Sequence, residues 1–347
     1  MPALAVAEAL EKRGVEVSFA GSSERMEAEL VPEAGFTFDS FRISGFPRRP
    51  GLKLARGLGR AFLAPFSCLR ILGRRRPDVV FGGGGYVAGP MVLAAWLKRI
   101  PAALSEADAH LGLANRLAEP FARRVFLAFP IERHEKNKYR VTGRPLPARS
   151  RAPERTQSRK QFGLPKKGPV LLVFGGSQGA QSLNRACLEA FAGTALDVQV
   201  VHVCGPRHFD ELQAALAARG TDVERYRLLP YTEDLAHAMA AADLVVGRAG
   251  GSVAEIAALG RPAILVPYPH ATADHQSKNA ALMAAAGAAV VIADADLDGR
   301  LLGRLVGELL GDQPRLARMA AASRAAGRPD ATRRVADEVE SLLAGRR

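Results

Sequence analysis

Helical and strand-like hydrophobic patterns alternate along this chain, and they begin with a helix. Apolar residues recur at helical spacing within residues 2–13, with Pro2 suited to the first turn and Gly14 to the end of the helix. A β-branched and aromatic run at 15–21 then predicts a strand. A helix packed on a parallel sheet normally follows a strand, so this order predicts that a first strand and its strand-to-helix loop precede Met1. A domain that opens with a helix is the alternative.

The remaining pattern predicts an α/β fold with two doubly wound parallel-sheet domains. Short apolar runs that suit strands buried on both faces lie at 77–83, 101–106, 123–129 and 139–143, and again at 169–176, 198–205, 242–251, 261–268 and 288–294. The expected organisation is an N-terminal domain at 1–147, a polar linker at 148–168, a C-terminal domain at 169–330 and a last helix at 331–347 that packs back on the N-terminal domain. Because ligands bind outside the carboxyl ends of parallel strands, two such domains facing each other predict a ligand cleft.

Length and cysteine usage narrow the class of protein. The chain has 347 residues, of which 48% are hydrophobic, and this length favours two domains over one. Cys68, Cys187 and Cys204 are odd in number and widely spaced, so they support neither a disulfide framework nor a zinc site and predict a reducing cytoplasm. No apolar run is long enough to span a bilayer, so any membrane contact is expected to be peripheral.

The charge predicts a polyanionic partner. The formal net charge is +13, and residues 41–76 are rich in Arg and Lys without any Asp or Glu. The same segment carries Leu and Phe at intervals, which favours docking on an anionic membrane surface. An ordinary amphipathic helix packed on a sheet is the alternative. Nucleic acid is not expected as a partner, because the chain contains no base-reading motif.

Three Gly-rich loops each join a predicted strand to a predicted helix, at 82–90, 175–180 and 247–252. Glycine lets backbone N–H groups approach a phosphate, and the helix N-terminus adds positive potential. Arg248 can pair with a diphosphate, and Glu255, one turn into the next helix, can bind ribose hydroxyls. The alternatives are turns or tight helix–sheet packing that need glycine for steric reasons, and a first-turn glutamate favoured by the helix dipole.

A polar cluster follows the predicted strand at 261–268. Gln276 can offer both a donor and an acceptor to sugar hydroxyls, whereas the spacing of His270 and His275 does not place them on one helical face for a metal. Three acidic residues further along lack the glycine and distal glutamate of a calcium loop, and they predict a strand end and a helix cap: Asp294, Asp296 and Asp298. We therefore expect neither a metal nor a cofactor.

Several segments together make the chain similar to the MurG family of glycosyltransferases, over almost its whole length. They include GGYVAGP at 84–90, LGLANRLA at 111–118, FGGSQGAQSLN at 174–184 and the block RAGGSVAEIAALGRPAILVPYP. The resemblance implies a GT-B fold of two Rossmann-like domains and transfer of N-acetylglucosamine with inversion and without a metal. The implied donor is UDP-N-acetylglucosamine, the implied acceptor is undecaprenyl-diphosphate-linked muramoyl-pentapeptide of peptidoglycan synthesis, and the implied location is the cytoplasmic face of the plasma membrane.

The resemblance also implies site residues. Those for the donor are Arg144, Ser177, Thr232, Arg248, Gly250, Gly251, Ser252, Glu255 and Gln276. Within this set, Ser177 and Arg248 are expected to face the diphosphate. Glu255 is expected at the ribose, the backbone near Thr232 at the uracil, and Gln276 at the sugar. Those for the acceptor are Gly84, Gly85, Tyr86, Gly89, Asp108 and Asn115, with the loop at 82–90 expected to cradle the acceptor diphosphate.

The sequence departs from the family pattern at the expected general base. The family's first Gly-rich loop, of the type G-G-T-G-G-H, carries the histidine favoured as base, and it does not occur before Pro2. The substitutes in this sequence are Glu106 and His110. In addition, the family's Glu-Gln-Asn reads Glu-Ala-Asp at 106–108, and its Asn-Pro-Val-Arg reads Arg-Pro-Leu-Pro at 144–147.

Other functions fit part of the same pattern. An isomerase resembling the UDP-N-acetylglucosamine 2-epimerases would use the same UDP site without a lipid acceptor, but the loop at 82–90 and the basic segment at 41–76 disfavour it. A related transferase with another glycolipid acceptor is a further alternative. A non-catalytic UDP-sugar binder is the third, and a chain that genuinely opens with its first helix would favour it.

Overall fold

A computed structural model describes residues 2–43, 52–131, 137–148, 154–193 and 198–344, with the side chains of 52–62 and 344 not described. The chain divides into two compact units. Unit 1 comprises Met1–Pro147 and Asp330–Arg347, and unit 2 comprises Ala148–Pro329.

The strands within the described residues of unit 1 are parallel and form two sheets. They are β1 (Ser18–Ser22), β2 (Thr37–Phe41), β3 (Val80–Gly82), β4 (Ala102–Glu106), β5 (Arg124–Leu127) and β6 (Tyr139–Val141). One sheet pairs β1 with β2, and the other has the order β3-β4-β5-β6. Among the described residues, no strand pairing joins the two sheets. The expectation of a further strand before Met1 stays a prediction.

The helices of unit 1 cover these sheets. They are α1 (Pro2–Glu11), α2 (Glu27–Glu33), α3 (Leu52–Arg75), α4 (Ala88–Leu97), α5 (Leu113–Ala118) and, from the end of the chain, α14 (Ala331–Ala344). The predicted first helix is confirmed as α1, and its apolar face buries Val6 and Leu10 against Val335 and Val339 of α14. The last helix of the chain therefore completes the core that the first helix begins.

Unit 2 contains one six-stranded parallel sheet. Its strands are β7 (Val170–Phe174), β8 (Gln199–Val203), β9 (Tyr226–Leu229), β10 (Leu244–Gly247), β11 (Ala263–Leu265) and β12 (Ala289–Val291). Their order is β12-β11-β10-β7-β8-β9. This is the order of a dinucleotide-binding fold, in which the chain reverses direction across the sheet between the first and the fourth strand. In unit 2 that switch point lies between β7 and β10.

The helices of unit 2 connect and cover these strands. They are α6 (Arg155–Gln161), α7 (Gln181–Phe191), α8 (Phe209–Ala218), α9 (Leu235–Ala241), α10 (Val253–Ala258), α11 (His275–Ala285), α12 (Gly299–Gly311) and α13 (Gln313–Ala326). Helix α6 lies inside the segment expected to be a linker and packs on α9. Its buried residues are the polar Ser158 and Arg159. The helix therefore lacks the apolar periodicity that would predict it from the sequence.

All of the strands expected from apolar runs are confirmed, but two strands were missed. β2 alternates apolar and polar residues in the sequence TFDSF, and β9 contributes only YRLL. Neither is a continuous apolar run. Within the described part of the chain, β1 is the single partner of β2, and β9 is the edge strand of its sheet. Strands with one-sided burial give a weaker apolar signal than central parallel strands.

A buried polar network lies inside unit 2, behind the end of β8. The fully buried His202 ring contacts the Tyr226 hydroxyl with Nδ1 at 2.8 Å and Asn184 Oδ1 with Nε2 at 3.0 Å. Asn184 Nδ2 in turn donates to Cys204 O at 2.9 Å. Because the amide oxygen of Asn184 therefore faces the ring, Nε2 carries the proton of a neutral imidazole. The network fixes α7 against the end of β8.

The burial of His202 makes the stability of the protein depend on pH. Burial lowers the pKa of His202 from its ordinary value of 6.5 to about 3. Below pH 6.5 this histidine is therefore protonated in the unfolded chain, but in the folded chain it stays neutral down to about pH 3. The free energy of unfolding consequently falls as the pH falls through this window. At pH 5 the loss relative to pH 7 amounts to about 2 kcal/mol.

We expect His202→Gln to remove this part of the pH dependence. The measurement is the free energy of unfolding from urea titrations at pH 5 and pH 7 for both proteins, with His270→Gln at an exposed position as the matched control. The difference between the two pH values should shrink in His202→Gln and stay unchanged in His270→Gln. An unchanged difference in His202→Gln would show that this imidazole is protonated in the folded chain.

Candidate active site

The switch point of unit 2 brings two of the Gly-rich loops to one edge of the sheet. The loop at 175–180 follows β7, and the loop at 248–252 follows β10, which is the neighbouring parallel strand. Thr232 follows β9, and Gln276 in α11 follows β11. All of these residues lie at the carboxyl edge, because the strands that precede them are parallel. The candidate donor site of unit 2 is therefore assembled at one place.

The loop at 175–180 needs its glycines for packing and still exposes its tip. A side chain on Gly175 would collide with the backbone of Ala180, and one on Gly179, at φ 77°, would collide with Cys204 O. Residues 176–178 between them are exposed, including Ser177, and α7 begins directly after the loop. The steric explanation of these glycines is therefore correct, and the backbone around Ser177 remains open to a ligand.

Arg248 is placed differently from the expectation that its guanidinium faces a diphosphate. The residue is only 8% exposed. Its Nη1 donates to Asp294 Oδ1 at 2.6 Å and to the carbonyls of Val266 and Pro267, and its Nη2 donates to Ser182 Oγ at 2.9 Å. The reason is that a buried guanidinium needs acceptors on several sides, and the carboxyl-edge loops provide them.

Asp294 is the residue of this edge that sequence reasoning missed. With Asp296 and Asp298 it is expected to end a strand and cap a helix, and it does follow the end of β12. The expectation missed that its carboxylate accepts from Arg248 and, at 2.6 Å, from Ser182 Oγ. Burial by itself opposes ionisation, yet the hydrogen bonds from Ser182 and Arg248 lower the pKa of Asp294 below its ordinary value. Asp298 does cap α12 as predicted, since its side chain accepts from Leu301 N.

The Gln276 side-chain amide forms a hydrogen bond through its oxygen. Its Oε1 accepts from Tyr268 N at 2.9 Å, and its Nε2 lies 3.8 Å from the position that a Cβ on Gly250 would occupy. Glu255 is half-buried in the first turn of α10. Gly250, Gly251 and Ser252 directly precede that helix. Among the described residues, no group of His, Cys, Asp and Glu is arranged to hold a metal ion.

In unit 1, the loop after β3 is shaped by glycines with positive φ. Gly84 has φ 98° and Gly85 has φ 74°, and a Cβ on Gly84 would lie 2.9 Å from Ser105 O. Tyr86 accepts a hydrogen bond from Arg25 Nε at 2.9 Å. Gly89 lies in the first turn of α4, where a side chain would make only ordinary contact with Ala118.

The neighbouring loop after β4 is organised by the buried Glu106. Its carboxylate accepts from the backbone N–H groups of Ala107, Asp108 and Gly112, and from Asn115 Nδ2 at 2.8 Å. Asn115 also donates to Ser105 O, so it joins β4 to α5. Asp108 and His110 lie in the loop that these bonds hold, and the buried His110 Nδ1 makes no hydrogen bond within the described residues.

Arg144 belongs to unit 1, whereas the other donor candidates belong to unit 2. It follows β6 in a segment tied to α14, because Leu146 N donates to Thr332 Oγ1 and Leu146 O accepts from the same hydroxyl. The Gly-rich loop at 82–90 and the loop at 107–112 are in the same unit, after adjacent parallel strands. Each unit thus gathers its own set of the predicted residues at the carboxyl edge of a parallel sheet.

Comparison with known proteins identifies the family. Residues 1–127 match the glycosyltransferase family 28 N-terminal domain, and residues 170–335 match the family 28 C-terminal domain. The UDP-N-acetylglucosamine–N-acetylmuramyl-(pentapeptide) pyrophosphoryl-undecaprenol N-acetylglucosamine transferase of Halothermothrix orenii is 40% identical, over 99% of this chain and 96% of its own length.

Solved structures agree with this assignment. The crystal structure of Acinetobacter baumannii MurG is 31% identical with a TM-score of 0.79, over 98% of this chain and 95% of that one. A UDP-N-acetylglucosamine 2-epimerase has a TM-score of 0.68 at 18% identity, over 99% of this chain and 92% of that one, and so shares the fold alone. The expected two-domain GT-B fold is confirmed. The chain belongs to glycosyltransferase family 28 and, within it, to the MurG family of N-acetylglucosamine transferases.

Proposed function

We propose that the protein transfers N-acetylglucosamine from UDP-N-acetylglucosamine to the undecaprenyl-diphosphate-linked muramoyl-pentapeptide, the step from lipid I to lipid II in peptidoglycan biosynthesis. The observation that carries the proposal is the exposed loop around Ser177 at the switch point of unit 2. It occurs in a chain that is 40% identical to a transferase of this name over nearly its whole length.

The donor residues have roles that their geometry supports. The exposed backbone at 176–178 and the start of α7 suit the UDP diphosphate, because N–H groups and the helix dipole favour an anion there. The backbone near Thr232 would meet the uracil, and Glu255 would accept hydrogen bonds from the ribose hydroxyls. Gln276 would present its Nε2 as a donor to a sugar oxygen, since its Oε1 already accepts from Tyr268 N.

The residues proposed for the acceptor belong to unit 1. Gly84 and Gly85 have positive φ in the loop that follows β3, and backbone N–H groups of such a loop could cradle the second diphosphate. Tyr86, Gly89, Asp108 and Asn115 accompany this loop in the same unit, and Arg144, which is proposed for the donor, also belongs to unit 1. In the reaction, the acceptor hydroxyl oxygen forms a bond to the anomeric carbon while the bond from that carbon to the UDP oxygen breaks. The hydroxyl proton passes to a base.

The whole function is tested by turnover of labelled UDP-N-acetylglucosamine with and without the lipid-linked muramoyl-pentapeptide. We expect transfer of the label to the lipid only when the acceptor is present. Epimerisation of the donor in the absence of acceptor would support the isomerase instead. UDP-sugar binding without any turnover would contradict the enzyme and leave a binding protein.

Of the two substitutes for the base, we propose His110. The Glu106 carboxylate is engaged by hydrogen bonds within its own loop, so its oxygens serve to hold the chain. His110 is half-buried in that loop, so the residue is partly open to solvent. An imidazole is also the side chain best suited to take a proton near neutral pH.

We expect His110→Gln to lower kcat by about 10²-fold or more while the donor KM stays nearly constant, because general-base catalysis contributes about 10²–10⁴-fold. Steady-state kinetics at saturating acceptor provides the measurement. Glu106→Gln is the comparison, and its expected effect is on the acceptor KM through a loosened loop. An unchanged kcat in His110→Gln would assign the proton transfer to another group.

We also propose that unit 1 docks on an anionic membrane. Within the part of 41–76 whose side chains are described, α3 packs on α4 through Ala64, Cys68 and Leu72, while Leu63 is 62% and Phe66 is 58% exposed. The neighbouring helices expose further apolar side chains, namely Trp96 and Leu97 on α4 and Leu113 and Leu117 on α5. Exposed basic residues lie on the same three helices or directly after them: Arg70, Arg76, Lys98, Arg99 and Arg116.

Among the described residues, no helix has the length and hydrophobicity needed to cross a bilayer.

The double variant Leu63→Ser/Phe66→Ser tests this surface. We expect its affinity for vesicles containing anionic phospholipid to fall about tenfold or more, because two apolar side chains would no longer enter the membrane. Vesicle sedimentation measures the effect, and added salt should weaken wild-type binding. Val223→Ser, at a residue of unit 2 that is 77% exposed, is the matched control. Equal binding of the double variant and the wild type would contradict the proposal.

A further inference from the structure

The Arg248 side chain joins segments that follow four different strands of unit 2. Arg248 itself follows β10, Ser182 lies in α7 after β7, the Val266 and Pro267 carbonyls follow β11, and Asp294 follows β12. Ser182 Oγ also donates to Asp294 Oδ1 at 2.6 Å, which closes the cluster on itself. A single buried guanidinium is thus the common partner of most of the carboxyl edge.

The charge of Arg248 is compensated inside this cluster. The guanidinium is 2.6 Å from Asp294, and hydrogen bonds from Ser182 and Arg248 keep that carboxyl ionised. Three acceptors share the hydrogens of Nη1, and Arg248 Cζ lies over the Tyr268 ring at 5.5 Å from its centre. A neutralised and buried cation is poorly suited to attract a diphosphate from solution.

The contacts of this cluster lead to the residues proposed for the donor. The backbone that follows Arg248 runs through Ala249, whose carbonyl accepts from the buried Asn279, and then into α10 with Glu255. Tyr268, which packs on the guanidinium, donates its backbone N–H to Gln276. The position of Arg248 therefore bears on both the ribose and the sugar side of the site.

We infer that Arg248, Asp294 and Ser182 are positioning residues of the donor site and that Arg248 is not a ligand of the diphosphate. The inference rests on the proposed function, because it concerns how the UDP-sugar is held. The ion pair and its hydroxyl bridge hold the loops after β7, β10, β11 and β12 in one relative arrangement. The diphosphate is left to the exposed backbone around Ser177.

Unit 2 contains a second ion pair, again between a buried Arg and a half-buried Asp, that provides a matched control. Arg159, only 3% exposed, donates from Nη2 to Asp243 Oδ2 at 2.8 Å and also binds the carbonyls of Ala241 and Gly168. Asp243 directly precedes β10, so this pair lies at the amino edge of the same sheet. It resembles the Arg248 pair in chemistry and burial but not in its place relative to the candidate site.

The experiment compares UDP and uridine binding by calorimetry for wild type, Asp294→Asn, Arg248→Lys and Asp243→Asn, together with thermal unfolding. We expect Asp294→Asn and Arg248→Lys each to weaken UDP and uridine by a similar factor of about ten, since the misplaced loops affect both ligands. In turnover, both should raise the donor KM and leave the acceptor KM unchanged. Asp243→Asn should lower the unfolding temperature without changing either affinity.

A diphosphate ligand at 248 would give the opposite pattern. Asp294→Asn would then leave UDP binding unchanged or tighten it, and Arg248→Lys would weaken UDP but spare uridine, and this result would overturn the inference. Unchanged affinities in both variants, with a fall in unfolding temperature alone, would overturn it as well. If Asp294→Asn does not fold, Ser182→Ala keeps the ion pair, and we expect it to weaken both ligands about threefold.

The control for the underlying function is the wild type itself. Wild-type protein that binds neither UDP nor uridine would remove the proposed donor site along with the inference. Wild-type protein that binds UDP, combined with normal binding in Asp294→Asn, would overturn the inference alone.

Discussion

Two stretches of backbone meet at the carboxyl edge of the unit 2 sheet at a distance that only glycine allows. A side chain on Gly179 would collide with Cys204 O, and one on Gly205 would lie 2.5 Å from Gly179 N. Both glycines also have positive φ, which other residues adopt at a cost. The contact seats the loop after β7 on the end of β8, and the polar network of Asn184 and His202 supports it from within. The exposure of Ser177 at the switch point depends on this contact.

One carboxylate in each unit organises neighbouring loops, and it is buried in the case of Glu106 and half-buried in the case of Asp294. Glu106 holds the loop after β4 through backbone N–H groups, and Asp294 holds the carboxyl edge of unit 2 through Arg248 and Ser182. A charged group without such partners would be costly to bury, and a pair of this kind contributes little net stability compared with apolar packing. Its effect is on geometry, because each partner has few other positions in which its hydrogen bonds can be made.

The positions of some predicted site residues follow from residue type and strand order, whereas the partners of others do not. Ser177 lies in an exposed Gly-rich turn, and Gln276 follows β11 at the same edge of the sheet, as strand order requires. Arg248 is in the predicted loop, but its guanidinium is buried and bound to Asp294. That partner is 46 residues further along the chain. Sequence reasoning could locate the cation and could not locate its partner. The helix α6 was missed for a related reason, since its buried side chains are polar.

The sequence by itself determined the alternation of strands and helices, the three Gly-rich turns and the family, because apolar periodicity and glycine spacing are local properties that survive in a linear pattern. Tertiary structure decided the rest. The strand order placed β7 beside β10, and the packing of α14 on α1 completed the core of unit 1. Carboxylates distant in the sequence determined which polar side chains form hydrogen bonds inside the protein and which remain open to a ligand. These outcomes depend on contacts between residues far apart in the chain, and no local pattern encodes the partner of a buried charge.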